Sequence, residues 1–339
     1  MPKPKHILVI RLSAMGDVAM SVPVLRAFTQ QYPNVKITVL TRAFFAPLFR
    51  DLKNVNVFSA DVKGEHKGLF GLYKLSRELQ KENCDAIADL HNVLRTKVLK
   101  PLIGARKVSS IDKGRKPKKQ LVKGEIFEQL KSTIQRYTDV FKTLGFPLDL
   151  SAPKFPMPAA LNPNISRIIG TLNKKRIGIA PFAAHDGKKY PLELMEQLIK
   201  KLSKDYQVLL FGGGKNEIII LNDFESEADG IINLAGKLSF SEELDVISNL
   251  DVMLSMDSGN AHLAAMLGVK VVTIWGVTHP FAGFAPFNQP VDYALVADRI
   301  KYPKIPTSIY GNKYPEAYKD AAGSVSVETV VDKIKSILN

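Results

Sequence analysis

Short apolar runs alternate with amphipathic segments along this chain, stop at a proline-rich stretch, and then begin to alternate again. HILVI (6–10), KITVLT (36–41), NVNVFS (54–59) and DAIADL (85–90) have the length and β-branched content of buried strands. SVPVLRAFTQQY (21–32) and GLYKLSRELQKE (71–82) lie between them with helical spacing. Strand, helix, strand at this interval is the pattern of parallel βαβ units. EIFEQLKSTIQRYTDVFKTLG (125–145) is predicted as one long amphipathic helix ended by Gly145 and Pro147. SAPKFPMPAALNPN (151–164) then carries four prolines, which marks an interdomain linker.

After the linker come strands RIGIA (176–180), YQVLLF (206–211), GIINLA (230–235), VMLSM (252–256) and KVVTIWG (270–276). Helical patterns over 191–204, 216–228, 241–250, from about Gly259 to Leu267, and over 325–339 complete the series. The expected architecture is α/β, with two Rossmann-like, doubly wound parallel-sheet domains facing a central cleft. Their expected bounds are 1–155 and 175–339, joined by a linker over 156–174.

At 339 residues the chain buries two ordinary cores with ease. No apolar stretch approaches the roughly 18 residues of a membrane span. The opening MPKPKHILVIRL is basic and then apolar, but its apolar part is short and lacks a small-residue cleavage site. It reads as a first strand, not a signal peptide. The single Cys84 excludes an internal disulfide and a cysteine metal cluster, and suits a reducing compartment such as the cytoplasm. Residues 1–160 carry 28 Lys/Arg against 13 Asp/Glu, whereas residues 161–339 carry 19 against 20. The whole excess charge of +14 therefore sits in the first half, where it favours either solubility or an anionic partner.

Ligands of doubly wound sheets sit beyond the carboxyl ends of the strands, so the residues there carry the functional information. The loop after the first strand, RLSAMGD (11–17), has one glycine where a dinucleotide fingerprint needs three, and Thr41-Arg42 replaces the ribose-binding acid. GGGK (212–215) lacks the spacing of a P-loop, and the six histidines show no metal-ligand spacing. Asp17 then reads as a helix cap or as a catalytic base, with both readings open. In SMDSGNAHLAAMLGVKVVTIWG (255–276), Asp257-Ser258-Gly259 opens a helix with His262 in its first turn. Such an end caps itself through Ser258 or receives a diphosphate on its free amides. Lys188 follows a small-residue turn and is either a solvated surface lysine or a cation for a leaving diphosphate. Glu217 follows the triple glycine and is either a helix-dipole partner or a ligand of two ribose hydroxyls.

Four segments together resemble glycosyltransferase family 9, the ADP-heptose:lipopolysaccharide heptosyltransferases. They are RLSAMGDVAMSVPVLRAF (11–28), DLHNVLRTK (89–97), KKYP (188–191) and MDSGNAHLAAMLGVKVVTIWG (256–276), in register across the chain. The resemblance implies a GT-B fold and inverting, metal-independent transfer, with no cofactor beyond the nucleotide-sugar co-substrate, ADP-heptose. It implies Asp17 as general base, Lys188 at the diphosphate, Glu217 at the ribose and Leu238 at the base. Asp257, Ser258, Gly259 and His262 would hold diphosphate and sugar. Arg11, Arg42, His91, Arg95, Arg115 and Lys116 would meet an anionic, lipid-linked oligosaccharide acceptor.

Two departures concern the donor: Ala183-Ala184 stand where hydroxyl residues are frequent, and His279 stands where an acid is common. The run KGRKPKKQLVK (113–123) suggests peripheral contact with the inner membrane from its cytoplasmic face, while FFAPLF (44–49) and GLFGLY (68–73) bury apolar surface either in the membrane interface or in the core, and are expected in the core. A nucleic-acid-binding role for 95–123 lacks interleaved aromatics and leaves 255–276 without a task. A GT-B transferase of another nucleotide sugar, with a different glycan acceptor, is the nearer alternative.

Overall fold

Continuous apolar runs belong in the middle of parallel sheets, because helices cover both faces there. The computed structural model, which describes residues 3–170 and 174–339, places them so. The chain divides into two compact units, one formed by Met1–Lys113 with Thr133–Lys154, the other by Gly114–Ser132 with Phe155–Asn339.

In the first unit, β1 (His6–Ile10), β2 (Lys36–Thr41), β3 (Val55–Ser59), β4 (Ala86–Asp89) and β5 (Lys107–Ser110) form a parallel sheet in the order β3-β2-β1-β4-β5. The wholly apolar β1 is central and buried throughout. Its helices are α1 (Met15–Gln31), α2 (Gly68–Gln80) and α3 (Leu94–Ile103). Next in the chain come α4 (Arg115–Val122), which belongs to the second unit, and α5 (Thr133–Thr143) of the first. Leu72, Leu75 and Leu79 of α2 join Leu99 and Ile103 of α3 in one core over Leu8, Ile10 and Ile87. A cluster of Phe28, Tyr32, Phe141 and Phe146 rings joins α1 to α5 and the turn beyond it. Ile10 pairs with both Leu40 and Asp89, so β1, β2 and β4 end level and their loops open at one edge.

In the second unit, β6 (Arg176–Ala180), β7 (Gln207–Leu210), β8 (Ile231–Asn233), β9 (Val252–Met256), β10 (Lys270–Trp275) and β11 (Ala294–Val296) are ordered β11-β10-β9-β6-β7-β8, again parallel. The helices are α6 (Pro163–Ile169), α7 (Leu192–Ser203), α8 (Lys215–Ser226), α9 (Phe240–Ile247), α10 (Gly259–Met266) and α11 (Val327–Leu338). Ile177, Leu210, Leu254 and Ile274 pack with Leu198, Val330 and Ile334. Strand order reverses between β1 and β4 in one unit and between β6 and β9 in the other. At such a point the two loops diverge and leave a crevice, where ligands bind.

Several expectations need correction. The predicted helix over 125–145 begins only at Thr133, because the residues before it run along the second unit. The Leu130 amide donates to the Phe281 carbonyl at 2.9 Å, and the Phe127 ring lies 4.9 Å from those of His279 and Phe281. Arg299 and Lys118 stack on Phe127 and Phe284 at 3.4 and 4.0 Å. Residues 114–132 therefore go with the second unit, where the sequence places them in the first. The expected linker over 156–174 contains α6, capped by Asn162 and anchored through buried Ile165 and Ile169; its residues 171–173 lie outside the described residues. GLFGLY does not enter the core as expected: Leu72 does, but Leu69, Phe70 and Tyr73 are 72, 94 and 57 % exposed. In FFAPLF, Phe45, Leu48 and Phe49 are buried and Phe44 is not. No helix among the described residues is long and apolar enough to cross a membrane.

Candidate active site

The β1/β4 crevice is organised around carboxylates. Asp17 is the third residue of α1, and its Oδ2 accepts the Ala14 amide at 3.3 Å, so the acid does cap its helix. The same oxygen meets Arg11 Nη2 at 2.5 Å, while Arg11 Nη1 donates to the Leu90 carbonyl at 2.6 Å. Tyr137, wholly buried, donates its hydroxyl to the Asp17 carbonyl at 3.1 Å and fixes the start of α1. Both polar contacts of the carboxylate fall on Oδ2. Oδ1 makes no polar contact among the described residues, on a side chain that keeps 28 % of its surface in solvent.

Across the crevice, Asp89 closes β4 with no exposure. Its Oδ1 accepts the amides of His91 and Asn92 at 3.0 and 2.7 Å, and its Oδ2 accepts from Thr96 and Lys100 at 2.9 and 2.8 Å. This residue, which sequence reasoning passed over inside DLHN, shapes the loop that presents His91. The His91 Nε2 lies 3.4 Å from Ser13 Oγ, and its buried Nδ1 has no partner among the described residues. Arg42 stacks on Phe45 at 4.5 Å beyond β2, and Arg95 is half-buried in the first turn of α3. Arg115 and Lys116 are exposed on α4, which belongs to the second unit.

Burial, then the nearby Arg11 and Lys113, pushes the His91 imidazole down to about 4; burial and Arg299 bring His279 to about 4 as well. Both rings stay neutral in the folded protein well below the unfolded value near 6.5. Unfolding therefore takes up protons between these limits, and the stability from the two neutral rings is complete above pH 6.5 and lost as the pH falls toward 4. The midpoint temperature should fall across that window, and His91→Gln/His279→Gln should flatten the fall in calorimetric scans.

In the second unit, Lys188 ends a short turn beyond β6 and places its Nζ 2.8 Å from Asp257 Oδ2, just past β9. Thr278 donates to the same oxygen at 2.9 Å. Sequence reasoning missed Thr278, although it stands in the turn whose His279 was noted. The turn of Lys188 docks on the end of β10 through a glycine contact: a Cβ on Gly276 would lie 2.3 Å from the Gly187 carbonyl, which accepts the Val277 amide. The lysine stem packs against Gly311, whose φ of +78° suits glycine.

Ser258 does not cap α10 as expected. Its hydroxyl pairs with Ser255 Oγ at 2.9 Å, so the amides that follow, from Gly259 onward, gain no side-chain cap. His262 is buried in the first turn. Glu217 opens α8 and accepts the Gly213 amide on Oε2 at 2.7 Å, beside the open surface of Gly213 and Gly214. Leu238 is half-buried in the loop before α9. The structure thus brings Lys188 and Asp257 into contact and sets Glu217 and Leu238 on other loops of the same unit.

One grouping of metal-ligating type occurs among the described residues, Glu65, His66 and Glu78, away from both crevices on the loop and helix after β3. The His66 Nδ1 accepts the Asp61 amide, so a neutral ring carries its proton on Nε2, where it faces Glu78 at 3.1 Å. That nitrogen has no lone pair for an ion.

Residues 72–306, more than two thirds of the chain, match the family described as glycosyltransferase family 9 (heptosyltransferase). The chain belongs to glycosyltransferase family 9. This glycosyltransferase is 22 % identical over 295 residues to the lipopolysaccharide core heptosyltransferase OpsX of Haemophilus influenzae, covering 84 % of this chain and 83 % of that one. Its fold is similar to that of a family 9 glycosyl transferase from Veillonella parvula, with a TM-score of 0.76, 20 % identity, and coverage of 98 % of this chain and 97 % of that one. It is also similar to the Escherichia coli heptosyltransferase WaaC solved with ADP-2-deoxy-2-fluoro heptose, with a TM-score of 0.69, 19 % identity, and coverage of 98 and 99 %. Two Rossmann-like domains over nearly the whole length place the enzyme in the GT-B class. The family match begins beyond the Asp17 loop, at residue 72.

Proposed function

We propose that this glycosyltransferase moves a heptose from ADP-heptose to the inner core of lipopolysaccharide, with inversion and without a divalent metal. The observation that carries the reading is a matched pair of switch-point sites. One holds a carboxylate with an unengaged oxygen, and the other holds a lysine beside a helix start whose first amides lack a side-chain cap. The relatives named for heptose transfer, and the ADP-sugar in one solved structure, support the donor and the acceptor.

Asp17 Oδ1 takes the proton of the acceptor hydroxyl as its oxygen forms a bond to the anomeric carbon. The bond from that carbon to the diphosphate breaks on the opposite face, and ADP leaves with the electron pair. Lys188 and the first amides of α10 stabilise the charge that develops on the diphosphate. Asp257, held by Thr278, orients Lys188, while Glu217 uses Oε1 on ribose hydroxyls and Leu238 lines the base pocket. Ser258, Gly259 and His262 hold diphosphate and sugar. The neutral His91 offers its Nδ1 to an acceptor hydroxyl; Arg11, Arg42, Arg95, Arg115 and Lys116 meet the acceptor's anionic groups. The enzyme works at the cytoplasmic face of the inner membrane, on a lipid-linked substrate.

A thermal-shift panel of ADP-, UDP-, GDP- and dTDP-linked ligands tests the donor. Stabilisation by the ADP compounds alone is expected. A UDP preference, with Ala183-Ala184 offering no hydroxyl to the phosphates, would establish a transferase of another sugar instead.

A further inference from the structure

We propose that the first two turns of α2 are a wedge that enters the interfacial layer of an anionic bilayer. Leu69, Phe70 and Tyr73 are 72, 94 and 57 % exposed, and helical geometry puts them on one arc opposite the buried Leu72, Leu75 and Leu79. The helix has already committed one apolar face to the core and keeps a second one in solvent. Leu94, the first residue of α3, is 79 % exposed, and α3 shares its core with α2 on the same face of the sheet. Both helices start at the edge where the Asp17 loop opens.

Charge identifies the occupant. The arc of α2 continues into Lys74 and Arg77, with Lys67 just before the helix, and Lys74 is paired with Glu65 at 2.6 Å. From His91 to Ile111 there are five Lys/Arg and no Asp/Glu, and the first unit as a whole holds 22 Lys/Arg against 11 Asp/Glu. A second copy would bring the same cations to the contact. An anionic lipid surface supplies the opposite charge and an apolar layer for the three side chains. This is also not the basic run over 113–123, most of which belongs to the other unit. The inference draws its purpose from the proposed lipid-linked acceptor, but its test does not require transfer.

The test is co-sedimentation with vesicles of phosphatidylcholine alone or with phosphatidylglycerol, alongside Phe70→Trp as a reporter. Trp275 is the single native tryptophan and is buried in the other unit, so new emission reports position 70. Binding to the anionic vesicles, weaker with salt, is expected, with a blue shift from the reporter. Leu69→Ser/Phe70→Ser should weaken that binding at least about tenfold, since each buried apolar side chain contributes on that order. The substituted side chains are exposed, so the double variant should keep its melting temperature and its transfer to a water-soluble, delipidated acceptor. No binding by the wild type, unchanged binding by the double variant, an unshifted reporter, or self-association through this face without lipid binding would each overturn the wedge. Vesicle binding without transfer to the soluble acceptor would instead count against the proposed function.

Discussion

Asp17→Asn is expected to lower kcat by about 10²- to 10⁴-fold, the usual contribution of a general base. The substitution keeps the shape of the side chain, and its amide oxygen can still accept from Arg11 and the Ala14 amide in place of Oδ2. The capacity to take a proton is removed together with the charge that pairs with buried Arg11, so the melting temperature is measured alongside kcat to separate lost chemistry from lost stability. The donor residues Lys188, Glu217 and Asp257 belong to the other unit, so the dissociation constant for ADP should not change. Stopped-time assays at saturating donor, with calorimetric titration of ADP, separate the two quantities. Near-wild-type turnover would reduce Asp17 to a cap.

Lys188→Ala should have two large effects with one cause. Lys188 and Asp257 are 15 and 7 % exposed at the side chain, so the carboxylate depends on its cation. Thr278 would remain as the partner of Asp257 Oδ2 but carries no charge. Leaving a buried carboxylate uncompensated costs about 3 kcal/mol or more, which denaturant titration would register as a lower midpoint. The variant should also lose about ten- to a hundredfold in ADP affinity, the worth of one charge-assisted hydrogen bond to phosphate. Lys188→Ala/Asp257→Ala removes both charges, so it should recover part of the stability but none of the affinity. A structural ion pair without a donor role would leave ADP binding unchanged in both variants.

The alternation of apolar runs was enough to predict two parallel sheets, because a run such as HILVI has no polar side to expose and must sit centrally. The same reasoning drew attention to every strand end, but which of those ends flank a switch point follows from the strand order, which periodicity does not carry. It failed where a segment's periodicity was satisfied by a partner distant in sequence. Residues 125–132 look helical, but Phe127 and Leu130 pack on and bond to Phe281 instead. Leu69, Phe70 and Tyr73 look like core because composition cannot tell which of two apolar faces a helix buries. Asp17 posed a choice between cap and base that the local sequence could not resolve. In the structure the cap and Arg11 share one oxygen, Oδ2, so capping does not use the oxygen that the proposed base needs. Thr278 and Tyr137 escaped notice because each acts 21 or 120 residues from its partner.

Heptose transfer here is proposed to need only the residues of the chain. Incubating the purified enzyme with ADP-heptose and a heptose-deficient lipopolysaccharide acceptor, in excess EDTA, tests it most directly by mass spectrometry. An acceptor heavier by one heptose, with inverted anomeric configuration, is expected, and no such product from Asp17→Asn. Transfer that requires a divalent metal, retains configuration, or proceeds only from another nucleotide sugar would contradict it.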